Sequence, residues 1–191
     1  MTGTTSSRIG PLWWLVVLTI VLLMAATLLA MGRVPICECG TIKLWHGAVV
    51  SSENSQHISD WYSPSHFIHG LLFYWVTWLL LRQKSMGLRL AIATAVEALW
   101  EIVENTDMVI NRYREATIAL DYFGDSVLNS VSDAGFMIIG FLFASRMPVA
   151  VSVGIAVFFE LLTAYIIRDN LTLNIIMLIW PMDWIRVWQG G

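Results

Sequence analysis

The sequence predicts an all-α fold, a polytopic membrane helical bundle with about six transmembrane helices. Of the 191 residues, 57% are hydrophobic and 13% are charged, whereas soluble domains carry about 25% charged residues. The mean hydropathy is +0.68. Apolar stretches long enough to cross a bilayer recur along the chain, and no barrel-like alternation of apolar and polar residues is visible. We therefore expect a single transmembrane domain over residues 1–191.

The first apolar run covers residues 12–31 and contains no charged side chain. A run of about 20 apolar residues is long enough to span a bilayer. Arg8 and the small pair Ala25-Ala26 leave a cleavable signal peptide as the alternative. The run exceeds the roughly 7–15 residues of a signal-peptide core, so a retained first helix is expected.

Further spans are expected near residues 64–81, 88–110, 126–145, 149–167 and 171–187. The last contains Pro181 and Asp183, so it is either a sixth span or a re-entrant or surface segment. Lys and Arg prefer cytoplasmic loops. With six spans, one side receives basic residues mixed with acidic ones, and the other side receives Arg8, Arg82, Lys84, Arg89, Arg146 and Arg186. This pattern predicts a multi-pass membrane protein with both termini in the cytoplasm.

Three consecutive predicted spans carry ionisable side chains at helical spacing. A charge near a bilayer centre costs about 2.5–3.5 kcal/mol, so such residues usually face the interior of a bundle and mark function. The three stripes are Ser65-His66-x-x-His69, Glu97-x-x-Trp100-Glu101-x-x-Glu104-Asn105 and Asp125-Ser126-x-x-Asn129-Ser130-x-x-Asp133. In the predicted topology all three lie in the outer half of the membrane, so they are expected to form one polar site.

The residue types in the stripes indicate a metal centre. Imidazoles facing carboxylates suit a divalent metal, with Zn²⁺ preferred. The predicted ligands are His66, His69, Asp125 and Asp133. The other acids are candidate catalytic groups, in which Glu101, Glu104 or Glu97 acts as general base on a bound water. The alternative is a hydrogen-bonded polar core that only fixes the register of the helices.

Polar groups beside the acids are candidates for substrate binding. Asn105 and Asn129 lie on the same helix faces as the acids. Arg112 and Arg114 follow the third span, where they could bind a phosphate or carboxylate at headgroup height. Their alternative role is to neutralise excess carboxylate.

Cys37 and Cys39 lie in the first outer loop. With His46 and His57 they could form a structural zinc site, although the spacing matches no standard finger. In an oxidising periplasm they could instead form a disulfide with each other or with a partner. The sequence leaves these readings open.

The motifs together resemble one known family. They are Asp60-Trp-Tyr, the three stripes, Cys37-x-Cys39-Gly, Arg112-Tyr-Arg114 and Arg168-Asp-Asn-Leu-Thr-Leu-Asn174. Over nearly its whole length the chain resembles the domain of unknown function 2585 family, multi-pass inner-membrane proteins of alphaproteobacteria. This resemblance implies location and topology but no reaction. The chain is also distantly similar to VanZ-like membrane proteins, from which it departs at His69 and in its longer acidic ridge.

Two functions compete for the predicted site. One is a metal-dependent hydrolase or transferase that acts on a lipid or lipid-linked headgroup. The other is a non-catalytic module that binds lipid or assists envelope assembly. A transporter is disfavoured because the inner halves of these spans contain no ionisable residue. A net charge of −3 without a long basic run argues against nucleic-acid binding. The sequence indicates no particular protein partner.

Overall fold

The computed structural model describes residues 9–117 and 121–190, and this part of the chain contains eight α-helices and no β-strand. The all-α prediction is therefore confirmed. The helices are α1 Pro11–Ala30, α2 Ser63–Leu81, α3 Met86–Glu104, α4 Asp107–Ala116, α5 Val127–Ala144, α6 Val149–Ile167, α7 Leu171–Ile179 and α8 Asp183–Gly190. Three of the described helices, α1, α5 and α6, are long and apolar enough to cross a membrane, which supports membrane association.

Local capping explains where several helices begin. Pro11 occupies the first turn of α1, where its missing N–H costs no hydrogen bond. The side chains of Ser85, Ser126 and Asn170 accept hydrogen bonds from backbone N–H groups in the first turns of α3, α5 and α7. The predicted spans 64–81, 126–145 and 149–167 agree with α2, α5 and α6 to within about two residues, which is ordinary for helix ends.

The predicted span 88–110 is interrupted. The helix α3 ends at Glu104, and α4 begins only at Asp107. The Asn105 amide and the Thr106 hydroxyl donate to the carbonyls of residues 101 and 103, respectively. Such local side-chain bonds compete with continued helical pairing, and Thr106 is extended. The result is a short separate helix in place of the outer end of a long span.

The predicted span 171–187 is also divided, and a six-span bundle is not confirmed. The helix α7 has nine residues and α8 has eight, so α7 is about 13.5 Å long, far less than the roughly 30 Å of a hydrocarbon core. Trp180 precedes Pro181 and has φ −139° and ψ 80°, outside the helical region that residues before proline avoid.

The C-terminal segment returns to the end of α6. The Gln189 amide donates to Asp169 over 3.2 Å, and the Arg168 guanidinium donates to the Trp188 carbonyl over 3.1 Å. Asp169 also accepts from the hydroxyl of Tyr62, the residue that precedes α2. The end of α8 therefore lies at the N-terminal end of α2.

The first helix begins at the opposite end of the bundle. Trp13 packs against Gly87 at the start of α3, only a short loop away from the C-terminal end of α2. The start of α1 and the end of α8 thus lie at opposite ends of α2. The prediction that both termini share one side of the membrane is not confirmed.

The core lies where α2 packs against α5 and α1 packs against α3. Leu90, Met137 and Phe141 fill its inner part, and Met24 and Leu28 fill its outer part. These contacts hold the three stripe-bearing helices, α2, α3 and α5, in a fixed relation, which positions the site.

The long segment between α1 and α2 folds over the N-terminal ends of α2 and α5. Within it Cys37 and Cys39 form a disulfide with each other. Of the alternatives that the sequence left open for these cysteines, the structure shows the disulfide between the two. His57 instead bonds Glu53 at 2.9 Å through its Nε2 atom, and Lys43 pairs with the same carboxylate.

Candidate functional site

A cavity of about 350 Å³ lies between α2, α3, α5 and α7 and is bounded by α4. Six of the predicted site residues line it: His66, His69, Glu104, Asp125, Asn129 and Asp133. The three stripes therefore converge, as the sequence predicted. Glu97, Glu101 and Asn105 stand directly behind this lining and are fully buried.

His66 is the centre of the cluster. Its Nδ1 atom lies 2.7 Å from Glu97 Oε1, and its Nε2 atom lies 3.8 Å from Asp133 Oδ2. Glu101 Oε1 is 3.4 Å from the same Nδ1 atom. If Glu97 is ionised, Nδ1 of His66 donates to it, and in the neutral imidazole Nε2 then has a free lone pair on the side of Asp133.

Glu97 orients a second imidazole as well. Its Oε2 atom lies 3.0 Å from Nδ1 of His69, which is one turn along α2 from His66. The ring of His69 also stacks on Phe73, with centroids 5.7 Å apart. Glu97 is therefore engaged by two histidines, which makes it an orienting group rather than a free base.

Glu101 and Asp133 have unsatisfied oxygens. Neither carboxylate oxygen of Glu101 has a hydrogen-bond partner among the described residues, and the same is true of Asp133 Oδ1. Both side chains are almost completely buried. A buried carboxylate without a partner is costly unless it is neutralised or coordinates a metal.

Asp125 is held from three directions at the outer edge of the cavity. It accepts from the Tyr122 hydroxyl at 3.0 Å and from the Asn105 amide at 2.9 Å, while its backbone N–H donates to Asn105 Oδ1 at 2.7 Å. Burial raises the pKa of Asp125 to about 6. Asn105, a predicted substrate-binding residue, therefore positions Asp125 from behind the cavity wall.

Asn129 connects α5 to the covering loop. Its side-chain amide donates to the carbonyl of His57 at 2.8 Å. The hydroxyl of Ser126 donates to the carbonyl of Gln56 at 3.0 Å in the same region. These bonds fix the segment around residues 54–57 as a roof over the site.

The structure does not bring Arg112 and Arg114 into the cavity lining. Arg112 donates from Nε to the Leu178 carbonyl at the end of α7 over 2.9 Å. The guanidinium of Arg114 lies over the ring of Phe123, 5.1 Å from its centroid. The break after Glu104 explains this placement, since both arginines belong to α4 rather than to a loop above the acids.

The lining residues that were not predicted as site residues include Tyr62, Tyr113, Asp169 and Asn174. The Tyr113 hydroxyl lies 2.8 Å from Asn174 Oδ1 and 3.1 Å from Glu104 Oε1. The Tyr62 hydroxyl donates to Asp169 over 3.3 Å, and burial raises the pKa of Asp169 to about 6. The only sequence signal was their presence in or beside the motifs that carried the family resemblance.

At the cavity, three groups of side chains could each hold a metal ion, because their ligand atoms lie within 4.8 Å of one another. They are His66, Glu101 and Asp133; His66, His69 and Glu97; and Glu101, Glu104 and Asp125. The first contains three buried ligands from three different helices. Glu101 belongs to two of the groups.

The sequence matches the family described as "Protein of unknown function (DUF2585)" over residues 28–191. The chain belongs to this family. It is 59% identical to a UPF0314 protein of Sinorhizobium fredii, over 99% of this chain and 97% of the relative. A UPF0314 protein of Rhizobium etli is 57% identical over 94% and 92% of the two chains. One of Paracoccus denitrificans is 57% identical over 96% and 94%.

The predicted family is thereby confirmed, and the relatives are bacterial. The predicted similarity to VanZ-like proteins is not shown by these comparisons. No solved structure matches the chain.

Proposed function

We propose that this protein is a metal-dependent hydrolase or transferase of the bacterial inner membrane, acting on a lipid-linked headgroup at the periplasmic face. The observation that carries the proposal is the meeting of His66, Glu101 and Asp133, three buried ligands from α2, α3 and α5. Unpartnered oxygens on both acids favour a cation there.

The spacing of the ligands suits a small divalent metal. Tetrahedral ligands with bonds of about 2.0–2.2 Å lie about 3.3 Å apart. His66 Nε2 and Asp133 Oδ2 are separated by 3.8 Å, so a small inward movement would suffice. One imidazole with two carboxylates is a donor set for Zn²⁺ or for a Mn/Fe-type ion. Three protein ligands would leave a position for water or substrate.

Glu97 supports this centre by orienting the imidazoles. A metal-bound histidine usually donates its other ring N–H to a carboxylate, which fixes the tautomer. The 2.7 Å contact between Glu97 and Nδ1 of His66 has this geometry. In this proposal Glu97 is a positioning residue and Glu101 is a ligand, and Glu104 is the glutamate of the three that lines the cavity.

The cavity wall favours a lipid as substrate. Besides polar side chains, the wall includes Leu72 of α2, Val96 of α3 and Ile175 of α7, which are each 44–50% exposed. If α2 and α3 cross the membrane, exposed apolar side chains on them would contact acyl chains. The cavity would then receive a polar headgroup inside and leave the apolar chains in the bilayer.

The reaction we propose is cleavage of an ester that joins the headgroup to its lipid. The metal would supply Lewis acidity to the ester oxygen. Glu104, held by Tyr113, would orient the attacking water. The water oxygen forms the new bond to the ester phosphorus or carbon, and the leaving oxygen departs with a proton. Asn129 and Asn174 would donate hydrogen bonds to the headgroup. Arg112 and Arg114 are not assigned to it.

The periplasmic assignment rests on two observations. Cys37 and Cys39 form a disulfide above the site, and disulfides persist in oxidising compartments. The opposite end of the bundle contains Arg82, Lys84 and Arg146, as cytoplasmic loops do.

Metal analysis tests the centre directly. The full chain is purified in detergent, and its metal content is measured for wild type, His66→Ala and His46→Ala. His46 is a matched control because it lies outside the cavity lining. We expect at least one ion per chain in wild type and in His46→Ala, and loss of that ion in His66→Ala. Equal metal content in all three would overturn the proposal.

Turnover is tested separately with a bacterial total-lipid extract in detergent micelles. We expect release of a water-soluble headgroup by the metal-loaded wild type, and none from His66→Ala or after chelation. Metal and lipid binding without any released product would instead favour the alternative, a non-catalytic lipid-binding or envelope-assembly module.

A further inference from the structure

We propose that the site holds two divalent cations and that Glu101 bridges them. The first is the ion at His66, Glu101 and Asp133, so the inference rests on the proposed function. The second lies between Glu101, Glu104 and Asp125. Its three ligands offer only carboxylate oxygen, a donor set for a Mn²⁺- or Mg²⁺-type ion.

If its acids are ionised, the cluster carries more negative charge than its own cationic side chains balance. Five carboxylates converge here: Glu97, Glu101, Glu104, Asp125 and Asp133. Among the described residues, their ion pairs come only from His66 and His69. No Lys or Arg belongs to the described lining of the cavity. One divalent ion with two imidazoles would still leave the group negative if the acids are ionised.

Glu101 has the geometry of a bridging ligand. Its side chain is fully buried, and both of its oxygens lack a hydrogen-bond partner among the described residues. Oε1 lies 3.4 Å from Nδ1 of His66, a contact too long for a good hydrogen bond, so each oxygen could bind a different ion. Glu101 also belongs to both groups of close ligand atoms. In two-metal sites the ions are about 3.5–4 Å apart, a distance that one carboxylate can bridge.

The two remaining ligands are already held in place. The Tyr113 hydroxyl lies 3.1 Å from Glu104 Oε1, which leaves Oε2 available. Asp125 is fixed by Tyr122 and Asn105. Hydrogen bonds of this kind to ligand carboxylates are typical outer-shell support for a metal.

The second ion would occupy the substrate side of the centre. Glu104 and Asp125 line the cavity, whereas Glu101 is behind the wall. An ion between them would bind the water that Glu104 otherwise orients directly. Two ions on either side of a scissile ester can stabilise both the attacking and the leaving oxygen. They would also bind an anionic headgroup in a cavity whose described lining contains no arginine.

The test is a metal count with Mn²⁺ as the probe. The full chain in detergent is stripped with chelator, loaded with Mn²⁺, desalted, and analysed by elemental mass spectrometry and by electron paramagnetic resonance. We expect two Mn²⁺ per chain, with the spectrum of an exchange-coupled pair. Glu104→Gln and Asp125→Asn should each bind one Mn²⁺ and show the spectrum of an isolated ion. Glu115→Gln, at an exposed acid on α4, should retain the coupled pair.

The outcomes separate the two proposals. One uncoupled Mn²⁺ in wild type would overturn the second site and leave the first intact. No bound metal of any kind in wild type would overturn both. Two coupled ions in both Glu104→Gln and Asp125→Asn would show that other ligands hold the second ion. Because the wild-type count and spectrum decide the main point, misfolding of a variant does not remove the test.

Discussion

Glu97 shows how one side chain can decide what its neighbours do. It lies 2.7 Å from Nδ1 of His66 and 3.0 Å from Nδ1 of His69, and it is fully buried. On a helix facing two imidazoles it sets their tautomers and their orientation. Its contribution to a metal centre would therefore be indirect, through the basicity and direction of His66 Nε2.

We expect Glu97→Gln to weaken metal binding without removing the site. A neutral amide cannot accept from both imidazoles with the strength of a carboxylate, so His66 should lose its fixed tautomer. Loss of such an outer partner typically costs about 10–100-fold in affinity. Competition with a fluorescent chelator measures this, with Glu115→Gln as the control. An affinity unchanged from wild type would contradict the orienting role.

The buried carboxyl group of Asp169 is expected to make the stability of the fold depend on pH. Burial raises its pKa from 3.8 to about 6, although it accepts from Tyr62 and Gln189. Between about pH 4 and pH 6 the unfolded chain loses this proton while the folded chain retains it. Stability therefore falls as pH rises through that window and is level above it.

We expect Asp169→Asn to abolish this fall, because the amide does not ionise. The difference in melting temperature, variant minus wild type, should increase from pH 4 to pH 6 and then stay constant. Thermal unfolding in detergent at stepped pH measures it. Asp121→Asn, at an exposed acid, should show no such step. A difference that is flat across the whole range would exclude Asp169 as the source.

The site could be predicted from the sequence only as far as helical spacing reaches. His66, Glu101 and Asp133 were predicted to meet because polar groups three or four apart share a face that must avoid lipid. The contacts of Tyr113 to Glu104 and of Asp169 to Tyr62 could not be predicted, since they depend on how α4 and α7 pack. No local periodicity contains that information.

At the scale of elements, the contact between α2 and α5 determines the geometry of the site. The two helices cross where Gly70 meets Gly140 with almost no space between the backbones. Small residues allow such close approach between membrane helices. The crossing lies about one to two turns from His66 and Asp133, and it therefore holds Nε2 of His66 3.8 Å from Oδ2 of Asp133.

We expect Gly140→Ala to destabilise the fold. A Cβ atom there would overlap the backbone oxygen of Phe67, which cannot move without shifting α2. Overpacking of this kind costs about 1–3 kcal/mol. Gly135→Ala is the matched control, because the same methyl on the same helix meets open space and alanine favours helix. A melting temperature in detergent that falls equally for both variants would argue against the crossing.

Helix interruptions were the elements that hydropathy could not locate. Residues 88–110 are apolar enough to suggest one span, yet Asn105 and Thr106 bond to the preceding carbonyls and end α3. A polar pair lowers an average hydropathy only slightly, although here it ends one helix before another begins. This single break is what removed Arg112 and Arg114 from the predicted headgroup site.

At the scale of the whole molecule, the return of α8 changes the path of the chain through the membrane. Gln189 bonds Asp169, which bonds Tyr62 at the N-terminal end of α2, whereas Trp13 packs at the start of α3. If α1, α2, α3, α5 and α6 each cross the membrane once, the number of crossings is odd. The C-terminus would then lie on the same side as the cavity roof.

Reporter fusions after Gly191 distinguish this path from the six-span prediction. With five crossings and a cytoplasmic N-terminus, we expect alkaline phosphatase at the C-terminus to be active and a fluorescent protein there to be dark. Six crossings predict the reverse. A fusion after Lys84 is cytoplasmic in both schemes and serves as the internal standard. Arg186 then becomes an outer residue, because the folding of α7 and α8 against α6 and α4 outweighs a single positive charge.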